Sequence, residues 1–190
     1  MSRSSPTRDR ILDVAQRLTQ ERGFNAFSYL DIGTQLGIRN ASIHYHFPSK
    51  AELGLALVRR YREWLQDILT GLDAEPSPRR RLDRYVDSYR EVVHDDGRIC
   101  LCTVLTAEDA ALPAGMREEI QAFFDLNERW LGGVLQAGIA AGELRVTGAR
   151  ELAAASLLAT LEGAMLLARA ARDASRFTQL ARAAVADLYA

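Results

Sequence analysis

The chain has 190 residues, 48% of them apolar and 26% charged, with a formal net charge of −1. These are the values of an ordinary soluble globular protein, long enough to bury a real core in one large or two small domains. Two cysteines and three histidines leave no metal centre in prospect, and a cytoplasmic protein with so few thiols has no disulfide framework. Strand signals are poor, and Ala, Leu, Arg and Glu dominate, so the expected fold class is all-α.

The near-neutral total conceals an asymmetry. Residues 1–60 carry nine basic side chains against five acidic ones, and the remainder carries 15 against 20. A basic N-terminal part on an acidic body is what a nucleic-acid footprint requires, although a shift of this size also arises by chance. The opening M-S-R-S-S-P has no apolar signal region, which places the protein in the cytoplasm. It reads as a short polar arm whose Arg3 could enter a minor groove.

The first helix is expected from Thr7, as N-cap, to Arg22, with Ile11, Val14, Ala15 and Leu18 as its buried stripe and Gly23 as its stop. Phe24 and Phe27 fold the connection back over a small core. Ser28 then caps a second helix, with Asp31 three residues on. The same hydroxyl and the unpaired amides of that helix start can receive a phosphate, with Tyr29 placed beside them. Ile32 and Leu36 lie one turn apart. Gly37 supplies the left-handed residue that ends the helix, and Ile38 plugs the corner. Gly33 weakens the helix but permits close helix–helix approach.

A third helix follows with Ile43 as its inward residue, leaving Arg39, Asn40, Ser42, His44 and His46 outward. This is the layout of a helix-turn-helix, or, more blandly, of a helical corner inside some other core. Arg39 and Asn40 come first on the inserted end and suit base readout, Arg through guanine O6/N7 and Asn through adenine. Ala41 offers only contact with a thymine methyl. His44 and His46, two apart on a helix, diverge too far to share a metal. Phe47 locks the helix end into the core.

The run S42-I-H-Y-H-F-P-S-K50-A-E-L53 closely resembles the recognition-helix signature of the TetR family of one-component bacterial regulators, Thr/Ser-Leu-Tyr-Tyr-His-Phe-x-Ser-Lys-x-x-Leu. The resemblance covers residues 7–60. It implies DNA contacts for Ser42, Tyr45 and His46. His44 stands where tyrosine is more common. Lys50, the single lysine among 23 arginines, matches a family lysine that contacts the DNA backbone. Its position makes physical sense in that role. Ser49 caps the next helix and Glu52 completes the box, so a cation at 50 opposes the helix dipole unless an anion binds nearby.

The fourth helix, Ser49 to about Leu72, shows an apolar stripe of Leu53, Leu57, Tyr61, Trp64 and Ile68, and E75-P-S-P marks a break after it. A fifth runs from about Pro78 to Asp95, closed by D95-D-G, with Leu82, Tyr85, Val86, Tyr89 and Val92/Val93 inward and R79-R-R as a solvated face. The segment I99-C-L-C-T-V-L-T-A-E-D-A-A-L-P reads as a short buried helix, closed by Pro113. A long helix spans about Ala114–Ala141, followed by G142-E-L, which resembles a connection common in the family's bodies. The last two helices cover about Ala149–Asp173 and Ser175–Tyr189. The most apolar stretch, 152–168, is broken by Ser156, Thr160 and Glu162 and reads as a buried helix rather than a membrane span. The final pair is too apolar for a monomer's surface, and points to a homodimer through a four-helix bundle, as the family forms.

The resemblance also implies a small-molecule pocket in the body. The polar or aromatic side chains available to line it are Trp64, Tyr85, Tyr89, Cys100, Thr103, Phe123, Asn127, Trp130 and Glu162, each of which also serves as plain core. Cys100 and Cys102 read first as buried, inert thiols. The sharper alternative is a redox- or electrophile-sensing Cys100 near Arg98, as in family members that regulate stress responses.

The expectation is therefore a ligand-responsive transcriptional repressor. Residues 1–48 would read a palindromic double-stranded DNA operator. Residues 49–190 would bind an effector and dimerise, with the fourth helix linking the two. No cofactor and no membrane contact are expected. The rival is a helical enzyme or carrier whose corner is only structural. No Ser-His-Asp arrangement and no phosphate-binding glycine loop support it, and His94 has no evident partner.

Overall fold

The computed structural model describes residues 6–93, 98–108 and 112–190. The Arg3 arm, His94 and the Asp95–Gly97 stop lie outside these. Nine α-helices appear among the described residues: α1 (Pro6–Arg22), α2 (Tyr29–Leu36), α3 (Asn40–His46), α4 (Lys50–Leu72), α5 (Pro78–Val92), α6 (Leu101–Ala107), α7 (Ala114–Ala140), α8 (Arg150–Ala171) and α9 (Ala174–Ala186). A 3-10 turn, Phe24–Ala26, lies between α1 and α2. The chain divides into two compact units. The first comprises the residues up to Arg62 together with Leu101–Gln121, and the second comprises Glu63–Cys100 together with Ala122–Ala190.

In the first unit, Ile11, Leu12, Ala15 and Leu18 of α1 are fully buried, as are Ile32, Ile43, Leu53, Leu57 and Val58. Full burial of one such side chain stabilises by about 1.5–3 kcal/mol, so this shared core, rather than intrinsic propensity, holds the short helices α2 and α3. Thr7 lies inside the first turn of α1 rather than capping it. Pro6 fits there because that amide has no intrahelical partner to lose. Gly23 ends α1 with φ 94°. Gly54 of α4 lies against two side chains: a methyl group there would lie 2.7 Å from Phe24 Cζ and would overlap Met116.

In the second unit the buried stripe of α4 continues through Leu65, Leu69 and Leu72, whereas Trp64 is 40% exposed. The i, i+4 rows carry the inward face past Trp64, which corrects the stripe expected from sequence. Helix α5 closes at Val92, three residues before the expected Asp95, with the Val93 N–H bonded to the Tyr89 carbonyl at 3.2 Å. Helix α9 likewise stops at Ala186 rather than Tyr189, because the chain end is used differently. Arg145 N donates to Leu188 O at 2.8 Å, Ala190 N donates to Glu143 O at 3.2 Å, and Leu144 pairs with Tyr189 as an isolated antiparallel bridge. The Glu143 carboxylate accepts from Ser77 Oγ (2.6 Å) and Arg79 N (3.0 Å), so it caps α5 from 64 residues away. By length and composition α8 is apolar enough to cross a membrane. In the structure one face of it, Leu157, Leu158, Leu161 and Met165, is buried.

Substituting Gly54→Val should overpack the contact with Phe24 and Met116 and lower the unfolding free energy by about 1–3 kcal/mol. Urea denaturation followed by circular dichroism measures this, and an unchanged midpoint would show that Met116 swings aside without cost.

Candidate nucleic-acid interface

The corner between α2 and α3 is set by one carbonyl. The oxygen of Gly33 accepts from Gly37 N and, at 3.0 Å, from Ile38 N, and Gly37 takes the left-handed conformation at φ 66°, ψ 31°. A side-chain carbon on Gly33 would lie 2.8 Å from the Ile38 carbonyl oxygen. The close approach foreseen for this glycine is therefore an approach of α2 to the chain entering α3.

Only Ile43 of α3 is buried. Arg39, its N-cap, together with Asn40, Ala41, Ser42, His44 and Tyr45, is exposed, Tyr45 to 83%, and His46 is half-buried. The rings fix one another: Tyr45 meets His46 edge-on with centroids 5.2 Å apart, and His44 packs on Tyr29 at 4.7 Å. The His44 Nδ1 lies 3.3 Å from the Pro48 carbonyl oxygen. This face offers hydrogen-bond donors and acceptors at the end of a rigid corner, which is what reading base edges in a major groove demands.

Both predicted capping boxes are present. Ser28 N and Oγ donate to Asp31 Oδ2 at 2.7 and 2.6 Å. Ser49 N donates to Glu52 Oε2 at 3.1 Å while Glu52 N donates to Ser49 Oγ at 3.2 Å. The Ser28 hydroxyl and amide hold the exposed Asp31 carboxyl below its usual range. Ser28 is exposed at the start of α2. Tyr29, by contrast, is only 9% exposed, and its hydroxyl donates to the Phe47 carbonyl at 2.9 Å. It therefore ties the end of α3 to the start of α2 instead of facing outward.

Lys50 folds inward. Its ammonium donates to the Phe27 carbonyl oxygen and sits 5.0 Å from the Phe24 ring centre and 4.5 Å from that of Phe27. Burial pulls its pKa down, while Glu108 and Asp31 favour its charge. One of its three donors is used here. The cation at this helix start is thus balanced by a carbonyl and two ring faces, a compensation that no local sequence signal announces.

The side chains predicted to line a pocket are brought together only in part. In the second unit Tyr85 Oη donates to Asn127 Oδ1 at 2.7 Å and lies 3.0 Å from Tyr89 Oη. Tyr89 Oη reaches Glu162 Oε1 at 3.4 Å, and Trp130 stacks on Tyr85 with centroids 5.1 Å apart. Asn127 Nδ2 donates to the Phe123 carbonyl at 3.0 Å. Burial above all pushes the Tyr85 and Tyr89 hydroxyls well above the ordinary tyrosine range, with Tyr85 and then Glu162 adding to the rise at Tyr89 and Glu162 adding to it at Tyr85, against the Tyr89 hydrogen bond. Thr103 belongs to the first unit, and Trp64 lies largely outward. Cys100 precedes α6 and Cys102 lies within it, so the pair does not share a helix; both are buried, at 2% and 0% exposure. An open cleft of about 660 Å³ between α5 and α9, lined by residues that include Asp87, Arg90, Phe177 and Thr178, had no counterpart in the local sequence pattern.

Two family models match the chain. One, bacterial regulatory proteins of the tetR family, covers residues 11–57, and the other, the tetracyclin repressor-like C-terminal domain, covers residues 78–184. A crystal structure of a TetR-family transcriptional regulator from Agrobacterium tumefaciens is 38% identical, with a TM-score of 0.92 over 96% of this chain and 97% of that one. A TetR regulator from Legionella pneumophila is 28% identical, with a TM-score of 0.87 over 99% of this chain and 100% of that one. The HTH-type transcriptional repressor DhaR of Mycobacterium sp. strain GP1 is 26% identical over 89% of this chain and 85% of its own length.

The Tyr29 hydroxyl is pushed up to about 12, chiefly by burial and secondarily by Glu52, from an ordinary 10.0. A raised folded-state value means that the unfolded chain ionises first. The stability from this group is therefore complete below pH 10 and is lost as the pH climbs towards 12. Tyr29→Phe should remove that alkaline loss and, by leaving the Phe47 carbonyl unpaired, cost about 1–3 kcal/mol near neutrality. Thermal melts of both proteins across this pH range measure the two effects.

Proposed function

This chain belongs to the tetR family of bacterial regulatory proteins, and from that premise we propose that it is a repressor that binds a palindromic operator as a homodimer and leaves it when an effector binds. The observation that carries the reading is the outward face of α3 behind the Gly37 corner, with Arg39 and Asn40 leading. Arg39 and Asn40 read base edges. Ala41, Ser42, His44, Tyr45 and His46 fill the groove or touch the backbone. Ser28 and Lys50 meet phosphates at the α2 and α4 N-termini. Tyr29 supports these contacts by holding α3 in place. Residues 1–48 form the reading head and 49–190 the regulatory part. A protein that reads DNA in a bacterium works in the cytoplasm.

Dimerisation runs through α8 and α9. Leu152, Leu166 and Leu167 of α8 are 48–67% exposed, and nothing lies within 4 Å of a side-chain carbon placed on Gly163. Leu152, Ala159, Gly163, Leu166 and Ala170 recur at helical spacing, an apolar stripe that a second copy would cover. Two heads on such a dimer suit half-sites about one helical turn apart. The effector's place is the buried Tyr85–Tyr89–Asn127–Glu162 cluster with Trp130. A ligand that binds one conformation better shifts the dimer towards it and, by linkage, weakens operator binding.

Selection of random duplexes by the purified protein at two salt concentrations tests the reading. A palindromic site with affinity falling steeply with salt is expected, and no enrichment by folded dimer would refute it. On that site Lys50→Ala should weaken all sequences alike and lower the salt slope by about one. Arg39→Ala should instead change base preference, by about 1–3 kcal/mol at one position. Leu167→Arg should shift sedimentation from dimer to monomer, and an unchanged dimer would place the interface elsewhere.

A further inference from the structure

Glu108, just beyond α6, belongs to the first unit and holds the turn that leads into α2. Its carboxylate accepts from Phe24 N at 2.8 Å, Asn25 N at 3.1 Å and Asn25 Nδ2 at 2.6 Å. The two backbone amides open the 3-10 turn Phe24–Ala26, where N–H groups have no partner within the turn. Charge-assisted bonds to them are roughly twice as strong as neutral ones. Gly23 makes the approach possible. It takes φ 94°, and a side-chain carbon there would overlap Glu108 Oε1.

What the turn positions gives this contact its consequence. Phe24 and Phe27 flank it, edge to face at 5.8 Å, and are almost fully buried. Lys50 lies over both rings and donates to the carbonyl of Phe27, the residue immediately before the α2 cap Ser28. Glu108 is also the larger of the two carboxylates whose field favours the Lys50 charge. Of the groups that seat Lys50, Phe24 is therefore held directly by Glu108 through its backbone amide, and Phe27 follows as the residue that closes the same turn.

We infer that Glu108 is a positioning residue for DNA binding: it anchors the Phe24–Ala26 turn and thereby sets Lys50 for its phosphate contact. The inference rests on the DNA-reading function proposed above. It makes the residue after α6, far in sequence from the head, part of what determines operator affinity without touching DNA. Loss of the carboxylate leaves α3 and its base-reading side chains in place and loosens only the backbone contact.

The test uses the full-length protein and the operator recovered by selection, with Glu108→Ala, Glu108→Gln, Lys50→Ala and the double variant Glu108→Ala/Lys50→Ala. Glu108→Ala should weaken binding about tenfold and lower the salt slope by about one, as Lys50→Ala does. The ranking of single-base operator variants should stay as in the wild type. The double variant should bind no more weakly than Lys50→Ala alone, because the two residues act as one unit. Glu108→Gln keeps an acceptor oxygen but not the charge and should fall between; it carries the test if Glu108→Ala does not fold. Wild-type affinity and slope in both Glu108 variants would overturn the inference. So would additive losses in the double variant, which mark a general structural role. A wild-type protein that binds no DNA would overturn the reading beneath it instead.

Discussion

Two amide hydrogens on one carbonyl oxygen, those of Gly37 and Ile38 on Gly33, fix the angle at which α3 leaves α2. A seven-residue helix has almost no stability of its own. Its direction comes from that corner at one end, from Ile43 sunk in the core, and from the Tyr29 hydroxyl on the Phe47 carbonyl at the other end. These three attachments leave most of α3 exposed. An element this exposed and this firmly placed is suited to recognition, because little ordering remains to be done when a partner binds.

Carboxylates hold the backbone in both units, over two ranges. Asp31 and Glu52 close boxes with serines three residues away. Glu108 and Glu143 satisfy amides more than 60 residues distant. Glu119 works on side chains instead, accepting from Arg59 at 2.7 Å and Arg62 at 3.0 Å. Burial would raise its pKa, but these two arginines outweigh that and hold it low. The segment carrying Glu108 and Glu119 is thereby fastened to the same compact unit as α1–α3.

The second unit buries a small polar cluster. Tyr85, Tyr89, Asn127 and Glu162 form one hydrogen-bonded group within an otherwise apolar interior. Such a group tolerates few arrangements, since an unmatched buried dipole costs more than a matched one gains. At the surface the opposite holds: α8 leaves leucines and small residues uncovered. The two features differ in kind, one a set of directional hydrogen bonds and the other an uncovered apolar face.

Local rules were enough to place the head from sequence. Gly37 at a helix end, Ser28 with Asp31, Ser49 with Glu52, and the inward Ile11, Leu18, Ile32 and Ile43 all act within a turn or two, and each is found where spacing put it. Partnership across long separations could not be read in this way. The sequence made Lys50 a cation in need of an anion, whereas the fold surrounds it with the Phe27 carbonyl and two rings. It set Tyr29 beside the phosphate-receiving amides, whereas the fold buries the ring and ties its hydroxyl to the Phe47 carbonyl, and it assigned no weight to Glu108 at all. The inward face of α4 was traced through Trp64 because aromatic character outweighed the i, i+4 row that continues to Leu65 and Leu69. Helix starts, stops and apolar stripes are written in neighbouring residues, because their physics is local. Which carboxylate meets which amide, and which face is left bare, is decided only when distant segments compete for the same space.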